Sequence, residues 1–214
     1  MASSRTILIA GGGIAGLVSA LALAKNGFRA VVFDQSPRLE PIGAGIQLSP
    51  NAMHVLLGLG LGDALKPRVV CPEDIRIRKA TSGSEIVRVP LGAYAQQRYG
   101  APYWMVHRGD LQAVLVDAAR ANPDIKLTLG SQVQDYAVHA NGITAQIRSG
   151  PTASEERCVG LIGADGLWST IRSKLGYTDP PHFRKRKPEP RGRECRMPTL
   201  QTRFSSAKVR CPRG

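Results

Sequence analysis

Short apolar runs alternate with longer helical patterns through most of this chain. Ile7-Leu8-Ile9-Ala10 is an unbroken apolar run of strand length, with the β-branched content of a strand buried on both faces. A helical stretch over Ile14–Lys25 follows, and Asn26-Gly27 ends it. Phe28-Arg29-Ala30-Val31-Val32-Phe33 then predicts a second parallel strand. Ser49-Pro50 puts proline at a first helical position and predicts a helix over 51–57, with 59–65 closing it and starting another turn. Ile75-Arg76-Ile77-Arg78 and Glu85-Ile86-Val87-Arg88-Val89 alternate apolar with polar around Thr81-Ser82-Gly83. That pattern predicts a β-hairpin with one wet face and solvated arginines.

Trp104-Met105-Val106-His107 predicts a further short strand. Leu111, Val114, Leu115 and Ala118 recur at helical spacing to about Arg120, with Asp110 as the expected N-cap and Asn122-Pro123-Asp124 as the stop. Strands are predicted over Ile125–Leu129, 133–140 and 143–149, the last two joined by the hairpin dipeptide Asn141-Gly142. A last buried strand, 158–163, runs into Ala164-Asp165-Gly166.

The chemistry concentrates where the first strand meets the first helix. Gly11-x-Gly13-x-x-Gly16 has dinucleotide-binding spacing: Gly11 for the tight turn, Gly13 for approach to a pyrophosphate, Gly16 for close helix–strand packing. The helix would aim its N-terminal N–H groups and positive dipole end at the phosphates. Asp34, at the end of the second strand, is placed to accept hydrogen bonds from a ribose. The run from Arg5 through Ala22-Leu23-Ala24 also has the outline of a secretory signal and is nearly long enough for a bilayer. Three consecutive glycines disfavour both readings, and neither uses Asp34. Gly43 and Gly45 suit either a backbone pressed against a ligand or a plain surface turn. Asp165 lies at the strand edge where ligands bind in open α/β sheets, and Asp-Gly can equally serve turn chemistry alone.

Composition changes this picture in one place. The formal net charge is +13 over 214 residues, but from Asp179 onward there are 11 Lys or Arg against 3 Asp or Glu, a net of +8. Residues 1–178 therefore carry only +5, and the basicity says little about the domain. Cys71, Cys158, Cys195 and Cys211 show no CxxC and no zinc-ligand spacing. They are expected to be reduced thiols in a cytoplasmic protein without a metal site.

Taken in order, Gly11-x-Gly13-x-x-Gly16, the run from Gly43 to Ala52 (GAGIQLSPNA), His107-Arg108-Gly109-Asp110-Leu111, and Gly163-Ala164-Asp165-Gly166 with Ser169 and Arg172 resemble the single-component FAD-dependent aromatic hydroxylases of the salicylate and hydroxybenzoate type. The resemblance covers about residues 5–178. It implies a three-layer, Rossmann-like α/β FAD domain with a mostly parallel sheet, formed by 1–71 and 105–178. A fragment of a mixed-sheet substrate domain, 72–104, interrupts it. It implies that Gly11, Gly13, Ala15 and Gly16 line the FAD pyrophosphate and that Asp34, where the family more often has Glu, holds the adenosine ribose. Gly45 would be a cofactor-binding residue, Arg108 would reach the flavin nucleotide's phosphate or ribityl region, Val133 would lie near the adenine, and Asp165 would help organise FAD and a transient NAD(P)H site. The implied reaction uses NAD(P)H and molecular oxygen to hydroxylate a small aromatic, phenolic substrate.

The resemblance stops near Asp179. His182-Phe183-Arg184-Lys185-Arg186-Lys187-Pro188 and the residues beyond it lack periodicity, and 179–214 is expected to be a disordered basic tail, of the kind that a frameshift or retained intron produces. The chain is thus expected to be a truncated, inactive flavin-binding portion that has no membrane span and binds no nucleic acid. No catalytic base can be named. The competing readings are a nucleotide-binding module without hydroxylase activity and a protein whose basic tail binds nucleic acid or acts in targeting.

Overall fold

The computed structural model describes residues 5–39, 44–177 and 179. Expectations for Gly43 and for the tail beyond Asp179 lie outside them. In chain order the elements are β1 Thr6–Ala10, α1 Ile14–Lys25, β2 Arg29–Asp34, β3 Gly45–Leu48, α2 Pro50–Gly58, α3 Gly62–Leu65, β4 Val69–Val70, β5 Asp74–Arg78, β6 Glu85–Pro90 and α4 Gly92–Tyr99. They continue with β7 Trp104–His107, α5 Arg108–Ala121, β8 Ile125–Leu129, β9 Ser131–His139, β10 Gly142–Ser149, β11 Thr152–Cys158, β12 Gly160–Gly163 and α6 Thr170–Lys174.

The centre is a parallel sheet in the order β12-β1-β2-β8. Period-2 alternation sends its side chains to two separate cores. Ile9 and Val32 face one side, where they meet Leu17 and Ala20 of α1 and Leu111, Val114 and Leu115 of α5. Leu8, Ala10 and Phe33 face the other, where they meet Val133, Ala145, Ile147, Cys158 and Ile171. That second cover is an antiparallel sheet, β11-β10-β9, together with α6. The three expected layers are present, with a sheet rather than helices as one outer layer. A third small sheet, β3-β7-β4, and the β5–β6 hairpin complete the strands.

Four local expectations need correction. The helix after β7 starts at Arg108, and its N-cap is His107, whose Nδ1 accepts the Gly109 N–H at 3.2 Å; Asp110 sits in the first turn instead. The hairpin is exposed on both faces. Its arginines are not simply solvated: Arg76 and Arg88, directly opposite in register, both reach the Asp74 carboxylate, at 2.8 and 2.6 Å. Strand β11 was not foreseen, and the strand expected over 158–163 is divided between the end of β11 and β12. Cys158 is a free, buried thiol, whereas Cys71 is disulfide-bonded, against the expectation of reduced thiols throughout. Among the described residues no helix is long and apolar enough to cross a membrane, and no three His, Cys, Asp or Glu side chains form a metal-binding cluster.

Candidate functional site

The carboxyl ends of β12, β1 and β2 lie side by side, and the turns leaving them build the site. Gly11 has φ +104°, a left-handed value that L side chains rarely adopt, and a Cβ there would overlap the carbonyl oxygen of Ala164. The turn is tied on both sides: Gly11 N–H donates to Phe33 O at 2.7 Å, and Ala164 N–H donates to Ala10 O at 2.7 Å. Gly16 is buried, and a Cβ on it would overlap the Gly11 carbonyl oxygen, so α1 crosses β1 at a distance only glycine permits. Gly13 differs, because a Cβ there meets nothing within 4 Å. It is the N-cap of α1, and no side chain caps that helix. The first-turn N–H groups have no intrahelical acceptor, so an open cradle faces a positive helix end, as a pyrophosphate requires.

Two carboxylates flank this cradle, and both are engaged by backbone. Asp34 Oδ2 accepts the Gly12 N–H at 2.7 Å and its Oδ1 accepts the Ser36 N–H at 2.8 Å. Asp165 Oδ1 accepts the Ser169 hydroxyl at 2.5 Å, while Oδ2 accepts the Thr170 and Ile171 N–H groups at 2.6 and 3.2 Å. Ser169 in turn caps α6 by accepting the Arg172 N–H at 3.0 Å, and the Arg172 guanidinium donates to the Leu167 carbonyl at 2.6 Å. The serine and arginine that follow Asp-Gly therefore lock the loop that carries Leu167 and Trp168.

A cavity of about 350 Å³ lies over the cradle, lined by Gly11, Gly13, Asp34, Val133 and Asp165 among others. Five of the nine sequence-predicted residues converge there. A second cleft of about 540 Å³ shares Gly13 and Asp34 with the first and adds Arg38, Arg108 and Gln112. Arg108, the first residue of α5, donates its N–H to Ala44 O at 3.1 Å, which fixes the start of the helix beside β3. The other three predicted residues stand apart. Ala15 is exposed in the first turn of α1, and Gly16 packs the helix without lining either space. Gly45 begins β3 opposite His107, outside both cavities, and a Cβ on it would meet nothing within 4 Å. Sequence reasoning missed Trp168, 70% exposed on the first cavity's wall, and the buried Gln112. An exposed tryptophan beside a glycine loop was the available signal for the former.

Comparisons with known proteins identify the family. A family model described as an FAD binding domain matches residues 4–187, reaching past the point where the sequence pattern changes. The 3-hydroxybenzoate 6-hydroxylase 1 of Aquipseudomonas alcaligenes is 38% identical over 178 residues, covering 81% of this chain and 44% of its own. The 6-hydroxynicotinate 3-monooxygenase of Pseudomonas fluorescens is 35% identical over 175 residues, covering 82% and 44%. Among solved structures, p-nitrophenol 4-monooxygenase PnpA from Pseudomonas putida superposes with a TM-score of 0.73 at 25% identity, covering 80% of this chain and 43% of its own. A Klebsiella pneumoniae HpxO variant complexed with FAD gives 0.70 at 27% identity, covering 81% and 43%. The chain thus spans less than half the length of the curated relatives it matches. It belongs to the FAD-binding-domain family of the flavin-dependent aromatic hydroxylases and related monooxygenases, whose cofactor is FAD.

Proposed function

We propose that this chain is the FAD-binding portion of a cytoplasmic, NAD(P)H-dependent monooxygenase that hydroxylates a small phenolic substrate with molecular oxygen. The observation that carries the reading is the cavity at the carboxyl edge of the parallel sheet. It brings Gly11, Gly13, Asp34, Val133 and Asp165 together over an uncapped helix N-terminus. Residues 1–71 and 105–178 form the FAD-binding part, and 72–104 belongs to the side that would face substrate. FAD, when bound, supplies the redox and oxygen-transfer chemistry.

This chain's own residues bind and orient. Gly13 and the α1 N-terminus receive the pyrophosphate, and Asp34 accepts from the adenosine ribose while keeping its two backbone bonds. The Asp165–Ser169 knot holds the far wall rigid, and Arg108 offers a planar fork of donors on the flavin side. Among the described residues that line the two cavities are carboxylates already bonded to backbone and arginines, and none is His, Tyr or Cys. The reading is that this chain binds FAD without turning over. The test is to express it, reconstitute with FAD, and assay NADH and NADPH oxidation and product with hydroxybenzoates. A yellow holoprotein without substrate-dependent product supports the reading. Product above a free-flavin control overturns the inactivity, and a colourless preparation overturns the flavin site.

A further inference from the structure

The β5–β6 hairpin carries the apolar side chains that the rest of the fold leaves uncovered. Among the described residues it forms a sheet of its own, with no third strand on either edge. Register places Ile75 opposite Val89 and Ile77 opposite Val87, so these four side chains share one face. They are 36–50% exposed. The opposite face is occupied by its own charges, with the Asp74 carboxylate held between Arg76 and Arg88. A two-stranded hairpin is marginal in water unless its apolar face is covered. The ends of this hairpin differ in charge, because the chain runs Glu73-Asp74-Ile75-Arg76-Ile77-Arg78-Lys79. Glu73 is exposed at the base, and Arg78 and Lys79 are exposed at the tip. No described residue forms an ion pair with any of the three.

We propose that the face of Ile75, Ile77, Val87 and Val89 is a self-association surface, covered by the same face of a second copy with the two hairpins stacked antiparallel. A two-fold axis makes one patch its own complement. Four aliphatic side chains from each copy then leave water together, and the register puts no charge on the face they bury. The antiparallel sense follows from the ends: the acidic base of each copy lies beside the basic tip of the other. Parallel stacking would set base against base and tip against tip, like charge on like. Exposed end pairs add little affinity, but they fix orientation. The face is smaller than the roughly 800 Å² per partner of a standard interface, so the dimer is weak and depends on concentration. The inference goes beyond the FAD reading and does not depend on it, since the hairpin lines neither cavity of the candidate site.

The test is sedimentation equilibrium of the 214-residue chain between about 1 and about 300 µM, at about 0.15 M salt so that its +13 net charge is screened. The expected result is a reversible monomer–dimer equilibrium that added FAD leaves unchanged. Ile77→Lys puts a charge on the buried face and should weaken association by about tenfold or more. Val87→Thr with Val89→Thr, which keeps shape and branching, should weaken it in the same direction. Thermal melts check each fold, and the threonine pair decides if Ile77→Lys melts well below wild type. Glu73→Lys should weaken the dimer by about threefold, and adding Arg78→Glu and Lys79→Glu, which exchanges the end charges, should restore it. A chain that stays monomeric throughout overturns the proposal, and so does a dimer indifferent to substitutions on the face. Failure of the charge exchange to restore association overturns the antiparallel stacking. A monomer that binds phosphatidylglycerol vesicles, and loses that binding in Ile77→Lys, also overturns the proposal and gives the face to a lipid surface.

Discussion

Removing the Asp34 carboxylate tests folding and binding with one substitution. In the apoprotein its two oxygens accept the Gly12 and Ser36 N–H groups at 2.7 and 2.8 Å. Both are charge-assisted bonds, each contributing about 1.5–3 kcal/mol when well made. Gly12 is buried, so Asp34→Ala strands its N–H, whereas Ser36 is only half-buried and water can replace the lost acceptor. The first bond therefore counts near its full value and the second near a few tenths, giving about 2–4 kcal/mol lost. For a domain of this size that lowers Tm by roughly 5–15 °C. Asp34→Asn keeps one acceptor but turns its amide donor toward the other N–H, so it recovers at most half of the loss. FAD affinity, measured by calorimetry well below both melting temperatures, should also fall by about 1–3 kcal/mol as the ribose acceptor goes. An Asp34→Ala apoprotein melting within about 2 °C of wild type would refute the loop-holding role. A lowered Tm with unchanged FAD affinity would confine Asp34 to structure and remove it from the ribose site.

Glycine substitutions in the cradle should separate by position. Gly16→Ala forces a backbone overlap with Gly11 that no rotamer relieves and should cost about 1–3 kcal/mol despite alanine's better helix propensity, while Gly13→Ala should leave the apo melt within about 0.5 kcal/mol and weaken FAD binding. Equal melting losses for the two would refute the distinction. The Lys174 ammonium, 3.0 Å from Asp135, together with the Tyr136 N–H, holds that carboxyl below its ordinary range. A lowered folded value means the contribution is present above the unfolded pKa and lost as pH falls through the folded one, so Lys174→Ala should move the Asp135 carboxyl titration, followed by ¹³C NMR, back upward. Burial pushes the Cys158 thiol up, and the side chain is 7% exposed. At about pH 8, near the ordinary thiol range, a thiol-specific chromophore should therefore label it only on unfolding, judged against Cys158→Ser, and native-state labelling at a free-thiol rate would sink this.

The parts legible in the sequence are those whose cause is local. β1, α1 and β2 fall within a residue of expectation, because strand-length apolar runs, a glycine turn and Asn26-Gly27 are contiguous signals. Strand β11 reads TASEERC, with no apolar face; it exists because β10 offers an edge to pair with, and pairing is not written in one strand. The N-cap at His107 was hidden because histidine is a rare cap beside an aspartate three residues on. Asp74 joins two arginines only because register sets Arg76 opposite Arg88. Gln112 reads as a surface polar residue until α5 is placed with that side against the core and the cleft. Motif spacing and the family resemblance carry positions, which is why Gly11, Gly13, Asp34, Val133 and Asp165, named from the sequence, share one cavity in the structure. The partners of the two carboxylates were not found, since backbone donors leave no mark in a side-chain pattern.

Those partners divide the work between Asp34 and Asp165, which the sequence places alike at strand ends. A carboxylate offers about four acceptor sites. Asp34 gives two of them to its own loops, one on each oxygen, and about two remain, enough for the ribose diol of the proposed reading. Asp165 gives three, all to the segment Ser169, Thr170 and Ile171, and about one remains. The first thus holds its turn with acceptor capacity to spare, and the second chiefly holds a wall. That wall carries Leu167 and Trp168, 56% and 70% exposed, at the cavity rim. Ser169 and Arg172 complete the stiffening by capping α6 and holding the Leu167 carbonyl. A site prepared in this way reorganises little when a dinucleotide arrives, so binding free energy is not spent on ordering loops. The same bonds exist without FAD, and for that reason the carboxylates must be judged by apoprotein stability and by affinity together.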